Sequence, residues 1–282
     1  MNPRRTEKMV KAGLWLSAII TVVILPVIVA WIMLNGIQMI NLEFLTGSPY
    51  KFEYGGIFPQ MVGSLYLVCV CTLIATPLGL ASAIYLAEYA PNNRITMTVR
   101  FFIETLAGMP SIVIGLFGLE FLVHYLKLKT SLLSGGLVLA FMILPWIIRA
   151  SEEAIKTVPN DYKEASLALG ATKWKTIVKV VVPASIPGIL TGILLGMGKA
   201  IGETAVVMLT AGSGLETFIP SGLQSPAASL PLYIYKMATQ GHTSQAMNRA
   251  FGASLVLIAM FLLMSVGALV VRNYYMKRLG TR

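Results

Sequence analysis

The sequence predicts an all-α integral membrane protein with six transmembrane helices. Apolar residues make up 56% of its 282 residues and charged residues only 12%, which is about half the charged fraction of a soluble domain. The mean hydropathy is +0.75. The apolar residues fall in long blocks, and each block can cross about 30 Å of hydrocarbon as a helix. The predicted spans are 12–34, 61–87, 103–123, 132–148, 186–209 and 250–271.

The form of these blocks decides between the two ways of crossing a membrane. They are continuous apolar runs, whereas the strands of a membrane β-barrel alternate apolar and polar residues over about ten positions. The first block is too long for the apolar core of a secretory signal, and no small-residue cleavage site follows it. We therefore expect it to be retained as the first span.

The basic residues are placed as membrane topology requires. The net charge is +10, but no basic low-complexity tail or RNA-binding signature is present, so we expect no nucleic-acid partner. If the N-terminus lies inside, sixteen of the 22 Lys and Arg residues lie on the inner face, five lie on the outer face, and Lys199 lies within a span. The positive-inside rule then predicts that both termini are cytoplasmic.

The few residues able to bind a metal or perform catalysis do not form a site. Cys69 and Cys71 are two positions apart in one span, so they point to nearly opposite sides of a helix. His124 and His242 are far apart in the sequence and match no zinc pattern. We expect no metal, no cofactor and no catalytic residues in this chain.

The segment at about 150–183 predicts two short helices joined by a glycine. Asp161 to Glu164 has the spacing of a capping box, Gly170 can adopt a left-handed conformation, and Thr172 can cap a second helix that ends at Pro183. The first helix carries one apolar stripe, formed by Tyr162, Ala165 and Leu169. Such an elbow could fit a groove on a cytoplasmic partner or lie along the membrane surface, and its shape alone leaves both possibilities open.

A resemblance to a known family favours the possibility that the elbow fits a groove on a cytoplasmic partner. Glu164-Ala165-Ser166, three residues, Gly170, nine residues and then Val-Val-Val-Pro at 180–183 resemble the EAA loop of ABC importer permeases. The family implies a type I ABC importer (MetI-like) permease fold, in which this loop docks on a separate ATP-binding subunit. The docking role then falls on Asp161, Glu164, Ala165, Leu169 and Gly170.

The chain has no phosphate-binding loop of its own. Residues 193–200 come nearest to one, but Ile193 stands in place of the first glycine and Ala200 in place of the Ser or Thr that holds Mg²⁺. ATP would therefore be bound by partner subunits.

The fifth predicted span combines glycines with two charged residues. Within about 80° of one helix face lie Gly188, Gly192, Gly196, Lys199 and Glu203. The glycines predict close helix packing. Ionisable side chains inside a membrane are expensive, so Lys199 and Glu203 either line a path for an anion or neutralise each other as an i,i+4 ion pair.

A motif in this span makes the resemblance more specific. Residues 198–205, Gly-Lys-Ala-Ile-Gly-Glu-Thr-Ala, are similar to the Gly-Arg-Ala-Ile-Gly-Glu-Thr-Ala signature of the phosphate-specific permeases of the PstA type, and segments 106–113 and 229–235 are similar to family segments. The likeness covers about 55–272 and implies a pathway that includes Lys199, Glu203 and Thr204. Lys199 replaces the usual Arg and lacks its two-pronged geometry for phosphate.

Three other features were interpreted from their positions. Arg149 ends the fourth predicted span and is either a membrane anchor or part of the inner mouth of the pathway. Pro110 and Ser111 predict a bend, either a passive kink or part of a gate. Arg100 and Glu104 have the spacing of an ordinary i,i+4 helix pair.

The sequence thus predicts the permease subunit of an ATP-driven phosphate importer in a bacterial inner membrane, working by alternating access. The implied partners are a second permease, two ATP-binding subunits, an extracytoplasmic phosphate-binding protein and membrane lipids. The alternatives are an importer of sulfate or molybdate, or a self-contained transporter or channel. The predicted regions are 1–59 with the first span, a core at 60–272, and a basic tail at 273–282.

Overall fold

The computed structural model describes residues 3–50 and 54–278, and long helices dominate this part of the chain. The five longest helices are α1 (Pro3–Gly36), α3 (Phe58–Ile84), α6 (Leu132–Lys156), α9 (Val182–Ile201) and α12 (Ser244–Arg278). A π-helical turn, Tyr85–Tyr89, extends α3, and another, Ile177–Val181, precedes α9.

Shorter elements join these helices. They are a 3-10 turn (Ile37–Met39), α2 (Leu42–Thr46), the two-residue strands β1 (Pro49–Tyr50) and β2 (Tyr54–Gly55), α4 (Arg94–Ala107), α5 (Ser111–Gly118) with a π-helical continuation (Leu119–Tyr125), α7 (Asn160–Ala168), α8 (Lys173–Thr176), α10 (Ala205–Thr210) and α11 (Leu230–Gln240). The strands pair antiparallel, with Pro49 opposite Gly55.

Among residues 3–50 and 54–278, five helices are long and apolar enough to cross a membrane, and there are six spans when the bent pair Arg94–Ala107 and Ser111–Tyr125 is counted as one. The five are Val10–Met39, Phe58–Tyr89, Leu132–Lys156, Lys173–Ile201 and Ser244–Tyr274. The all-α membrane class and the number of spans are therefore as predicted from the sequence.

The third span, predicted as one helix at 103–123 with a bend at Pro110 and Ser111, is instead broken into two helices. α4 ends at Ala107 and α5 begins at Ser111, and the two helices meet at 98°. Pro110 has no N–H to continue the α4 hydrogen-bond ladder, and its extended backbone, with ψ of 135°, turns the chain away. α4 therefore lies almost at a right angle to α5 and its π-helical continuation.

The fifth span also differs from the prediction of 186–209. The helix does not end at Pro183: α8, a π-helical turn and α9 form one candidate span, Lys173–Ile201. Pro183 lies in the first turn of α9, where a missing N–H is tolerated. The helix then stops at Ile201. The prediction that Glu203 lies on the same helical face as Lys199 and the glycines is therefore wrong.

The core lies between α3, α6 and α9. Leu139, Ile143 and Ile147 of α6 are buried there against Leu67 and Cys71 of α3. By contrast, the most apolar window of the span Val10–Met39 has no buried residue, which is stable only where lipid or a partner replaces water. α1 approaches α12 at Gly36, where an added Cβ would lie 2.6 Å from the carbonyl oxygen of Phe251.

The helical bundle has two ends, which differ in the elements that they carry. The elbow end carries the elbow, which we define as α7, residues 169–172 and α8, together with the end of α3 and the start of α4. The loop end carries α11 and the pair of strands β1 and β2, which we call the hairpin. α12 runs across the predicted boundary at residue 272. Residues 279–282 of the predicted tail lie outside the described residues, and the division into 1–59, 60–272 and 273–282 stays a prediction.

Candidate coupling and transport site

The first helix of the elbow begins two residues earlier than the capping box predicted, since that box would make Asp161 the N-cap residue. α7 starts at Asn160 with Pro159 as its N-cap residue, and no side chain caps it. Pro159 has φ of −56° and ψ of 139°, so its rigid backbone sets the entry into the helix. Asp161 lies within the first turn, where a carboxylate is favoured by the partial positive charge of the helix N-terminus.

The turn and the start of the second helix follow the sequence prediction. Gly170 has φ of +81°, a left-handed conformation, and the Thr172 hydroxyl accepts a 3.3 Å hydrogen bond from the backbone N–H of Lys175. The hydroxyls of Ser166 and Thr176 lie 2.9 Å apart across the inside of the elbow. These contacts hold α7 and α8 in one defined bend.

The apolar stripe of the elbow faces away from the bundle. Every residue of α7 is exposed or half-buried, and Leu169 just after it is 90% exposed. Tyr162 and Ala165 are exposed as well. A projecting bend with an uncovered apolar stripe has the form of a docking element.

Two lysines attach the elbow to the end of α3. Lys163 Nζ of α7 lies 2.6 Å from Glu88 Oε1. Lys173 Nζ of α8 donates a 2.5 Å hydrogen bond to the main-chain carbonyl of Glu88 and lies 4.5 Å from the centre of the Tyr89 ring. Both helices of the elbow therefore contact the same π-helical turn.

A charge cluster around Glu152 of α6 lies next to this attachment. The Glu152 carboxylate is only 2% exposed, and its Oε1 atom accepts from Arg100 Nε at 2.9 Å and from Lys156 Nζ at 2.6 Å. Arg100 Nη2 also donates to the carbonyl of Leu86 at 3.0 Å. This cluster joins the middle of α4, the end of α3 and the end of α6. The sequence predicted no role for Glu152.

The predicted pairing of Arg100 with Glu104 is wrong. Arg100 binds Glu152, and Glu104 Oε1 lies 2.9 Å from Arg149 Nη2. A buried carboxylate needs a positive partner more than an exposed one does, and the packing of α4 against α6 brings Arg100 to Glu152. Arg149 does not end a helix, since α6 continues to Lys156.

The glycines of α9 face small residues of α6, as helix packing required. An added Cβ would lie 2.4 Å from the Ala154 Cβ at Gly188 and 2.5 Å from the Ala150 Cβ at Gly192. At Gly196 it would meet Ile147 at 3.3 Å, which is tight but not a collision. The absence of a side chain therefore sets the distance between the two helices at the first two positions.

Lys199 lies in the last turn of α9, whereas Glu203 lies in the short segment between α9 and α10. Lys199 Nζ is 4.8 Å from the centre of the Trp146 ring of α6, a cation–π contact. Glu203 Oε1 accepts a 3.2 Å hydrogen bond from the backbone N–H of Ala205 at the start of α10. Thr204 is half-buried between them and α10. Within the described part of the chain no ion pair joins Lys199 to Glu203, so the self-neutralising pair is excluded in this conformation.

A pocket of about 470 Å³ lies at the loop end, beneath the hairpin. Arg249 of α12 donates a hydrogen bond from Nη2 to the carbonyl of Gly55 and stacks 5.3 Å from the centre of the Phe44 ring. Burial raises the pKa of the Tyr233 phenol in α11, and the positive charge of Arg249 opposes part of that rise. Among residues 3–50 and 54–278, no group of three His, Cys, Asp or Glu side chains could hold a metal ion.

These features define a class of protein: a helical membrane protein with an exposed helical elbow at one end of its bundle. Comparison with known proteins agrees with this class. Residues 75–281 match the family described as binding-protein-dependent transport system inner membrane component.

Several named relatives are similar over most of their length. A probable ABC transporter permease protein, YqgI, of Bacillus subtilis is 35% identical over 95% of both chains. The phosphate transport system permease protein PstA of Xylella fastidiosa is 34% identical over 85% of this chain and 83% of its own. A probable PstA of Methanocaldococcus jannaschii is 36% identical over 93% and 94%.

Solved structures show the same fold at low identity. A chain of the bacterial alginate ABC transporter, in complex with a pentasaccharide-bound periplasmic protein, matches with a TM-score of 0.65 at 14% identity and covers 99% of this chain and 96% of that one. A chain of the inward-facing MetNI methionine ABC transporter matches with a TM-score of 0.63 at 19% identity, covering 78% and 97%.

The chain belongs to the binding-protein-dependent transport system inner membrane component family and is a permease of the PstA type. It has the MetI-like fold of ABC importer permeases. Its role is that of a transporter subunit.

Proposed function

We propose that this chain is a permease subunit of an ATP-driven importer of inorganic phosphate, which moves the anion by alternating access. The observation that carries the proposal is the outward-facing elbow: its apolar stripe is exposed, and two lysines hold it on the bundle. A separate ATP-binding subunit is the partner that such an element serves in an ABC importer. Two such subunits would drive one complete transporter.

The nature of the substrate rests on the relatives. Permeases 34% and 36% identical to this chain over most of its length are named for phosphate transport. Lys199 supports an anionic substrate, because a cation placed deep in a membrane protein is costly unless it has a role. Arg149 supplies a second positive charge, half-exposed on α6 nearer the elbow end.

Coupling to ATP hydrolysis would supply the free energy that the import of an anion requires. An anion that enters a cell against an inside-negative potential costs about 2.3 kcal/mol per net charge per 100 mV, before any concentration gradient is counted. Hydrolysis by partner subunits supplies that work, since the chain has no complete phosphate-binding loop at residues 193–200.

Alternating access requires segments that can change their relative positions. The 98° bend between α4 and α5 at Pro110 and Ser111, and the interruption of the helix between Ile201 and Ala205, are two such places. Both lie next to residues expected in the pathway. Movement of the elbow would be carried to them through α6, and the gate role of Pro110 and Ser111 belongs to this proposal.

The remaining parts of the assembly follow from the same mechanism. The elbow end and both termini would face the cytoplasm of a bacterial cell, and the loop end would receive phosphate from an extracytoplasmic phosphate-binding protein. A second, related permease would complete the pathway. Lipids or that second permease would cover α1, whose apolar surface its own chain leaves open.

The test is uptake of radiolabelled phosphate into right-side-out membrane vesicles that contain the complete transporter and external binding protein. We expect uptake with ATP inside the vesicles and none with a non-hydrolysable analogue. Sulfate or molybdate at a hundredfold excess should not reduce it. The matched control is the same vesicle with an ATPase partner unable to hydrolyse ATP.

Other outcomes assign other functions. Strong competition by sulfate or molybdate would make the chain a permease for that oxyanion. Uptake that continues without hydrolysis would make it a self-contained transporter or channel. Either result overturns the proposal.

A further inference from the structure

The end of α3 is the place where the elbow, α4 and α6 meet. The last carbonyls of a helix have no partner within the helix and carry a partial negative charge. At the end of α3, two of these carbonyls are capped by cations from elsewhere: Leu86 by Arg100 of α4 and Glu88 by Lys173 of α8. This helix end is therefore held by long-range contacts from two separate elements.

Glu88 makes the link to the other half of the elbow. Its carboxylate is 10% exposed and lies 2.6 Å from Lys163 Nζ of α7. One residue thus contacts both helices of the elbow, α7 through its side chain and α8 through its main chain. An ion pair that is largely withdrawn from water is screened less than a surface pair and holds its geometry more firmly.

The contacts continue from this residue into the transmembrane bundle. Arg100 bridges the same turn of α3 to Glu152 of α6. Below it, Ala83 of α3, Ile155 and Val158 near the end of α6, and Val181 before α9 form a small buried apolar cluster. Close-packed contacts of this kind transmit a displacement instead of absorbing it.

We propose that Glu88 is the positioning residue of the elbow: it passes the displacement that ATP hydrolysis imposes on α7 and α8 to α3, and through Arg100 and Glu152 to α4 and α6. This inference rests on the proposed function, and it adds the route by which the stroke reaches the spans. Without the Glu88–Lys163 contact, the elbow still docks, but its movement is passed on incompletely. The transporter then hydrolyses ATP without a matching amount of transport.

The test compares phosphate uptake with ATP hydrolysis in vesicles that contain the complete transporter, so that the number of phosphate ions moved per ATP is measured. The variants are Glu88→Gln, which keeps the size of the side chain but removes its charge, and Lys163→Gln, which alters only the partly exposed elbow side. The matched control is Glu153→Gln, an exposed carboxylate beside the cluster.

We expect both single variants to bind the ATPase subunit as the wild type does and to lower the phosphate-to-ATP ratio at least threefold. The charge reversal Glu88→Lys with Lys163→Glu should recover at least half of the lost ratio, because the ion pair is restored with opposite sign. Glu153→Gln should keep the wild-type ratio.

A purely structural role would lower uptake and hydrolysis together and leave their ratio unchanged, and that result would overturn the inference. A double variant whose phosphate-to-ATP ratio is no higher than that of the single variants would also overturn the inference. If Glu88→Gln fails to assemble, Lys163→Gln decides, since it leaves the end of α3 intact. A wild type without ATP-dependent uptake would instead refute the proposed function, and the inference would fall with it.

Discussion

Arg100 and Glu152 are 52 residues apart in the sequence, yet the Arg100 Nε atom lies 2.9 Å from Glu152 Oε1. The contact places a positive charge beside a carboxylate that is 2% exposed. Lys156 binds the same oxygen, while the Oε2 atom of Glu152 is buried with no partner among the described residues. The stability of the elbow end therefore depends on the presence of this side chain.

The first prediction concerns that carboxylate. Glu152→Gln should lower the free energy of unfolding by about 3 kcal/mol, because it leaves the Arg100 charge partly buried without compensation. Thermal unfolding of the purified protein in detergent measures the effect. Glu153→Gln changes an exposed neighbour in the same way and should shift stability by no more than about 0.5 kcal/mol. Equal effects of the two variants would show that the cluster contributes nothing.

The second prediction concerns the contact between α9 and α6. Gly192→Ala should cost about 1–3 kcal/mol, because the new methyl group would lie 2.5 Å from the Ala150 Cβ. Ala150→Gly in the same chain should restore most of the loss by making room.

The control for this substitution is Gly267→Ala in α12, where an added Cβ meets nothing within 4 Å. It should be neutral or slightly stabilising, since alanine favours a helix over glycine. If Gly192→Ala behaves like Gly267→Ala in thermal unfolding, close packing at this position is not required.

The third prediction separates a pathway role for Lys199 from a structural one. Lys199→Ala should lower phosphate uptake at least tenfold, about 1.4 kcal/mol in free energy, through loss of the positive charge. Its effect on thermal stability should stay near 1 kcal/mol, the usual strength of a cation–π contact such as that with Trp146. Lys199→Arg keeps the charge above the ring and should retain uptake within about twofold. Normal uptake by an assembled Lys199→Ala transporter would remove this residue from the pathway.

The fourth prediction concerns the docking stripe. Leu169→Asp should weaken co-purification of the ATPase subunit at least tenfold, because a charge would enter an apolar interface. Stability of the isolated chain should not change, since Leu169 is 90% exposed. The matched control is Leu42→Asp, which alters a leucine that is 80% exposed at the loop end. Retention of the ATPase by Leu169→Asp would show that the partner binds elsewhere.

The helix ends show where sequence reasoning succeeds. Thr172 caps α8 and Gly170 turns the chain as predicted, because both effects depend on a few neighbouring residues. The predicted start of α7 is wrong by two residues, since Pro159 competes with the capping box and both signals are local. Pro110 predicted a bend but not its 98° angle, which depends on how α4 packs against α6.

The ion pairs show where it fails. Spacing suggested Arg100 with Glu104 and Lys199 with Glu203, both four residues apart on one helix. In the folded chain Arg100 pairs with Glu152, Glu104 pairs with Arg149, and Lys199 lies over Trp146. A long side chain at a helix surface reaches a neighbouring helix as easily as its own next turn. Which partner it takes depends on which helix packs beside it.

By itself the sequence determined the membrane class, the number of spans, the elbow and the small-residue face of α9, because hydrophobic length, turn residues and glycine spacing act locally along the chain. The tertiary structure alone decided that the fifth span ends at Ile201, that Glu152 gathers the charges of the elbow end, and that Glu88 holds both halves of the elbow. The ion pairs of Glu152 with Arg100 and of Glu88 with Lys163 are contacts between residues distant in sequence, and they exist only once the helices have packed and the buried charges have found partners.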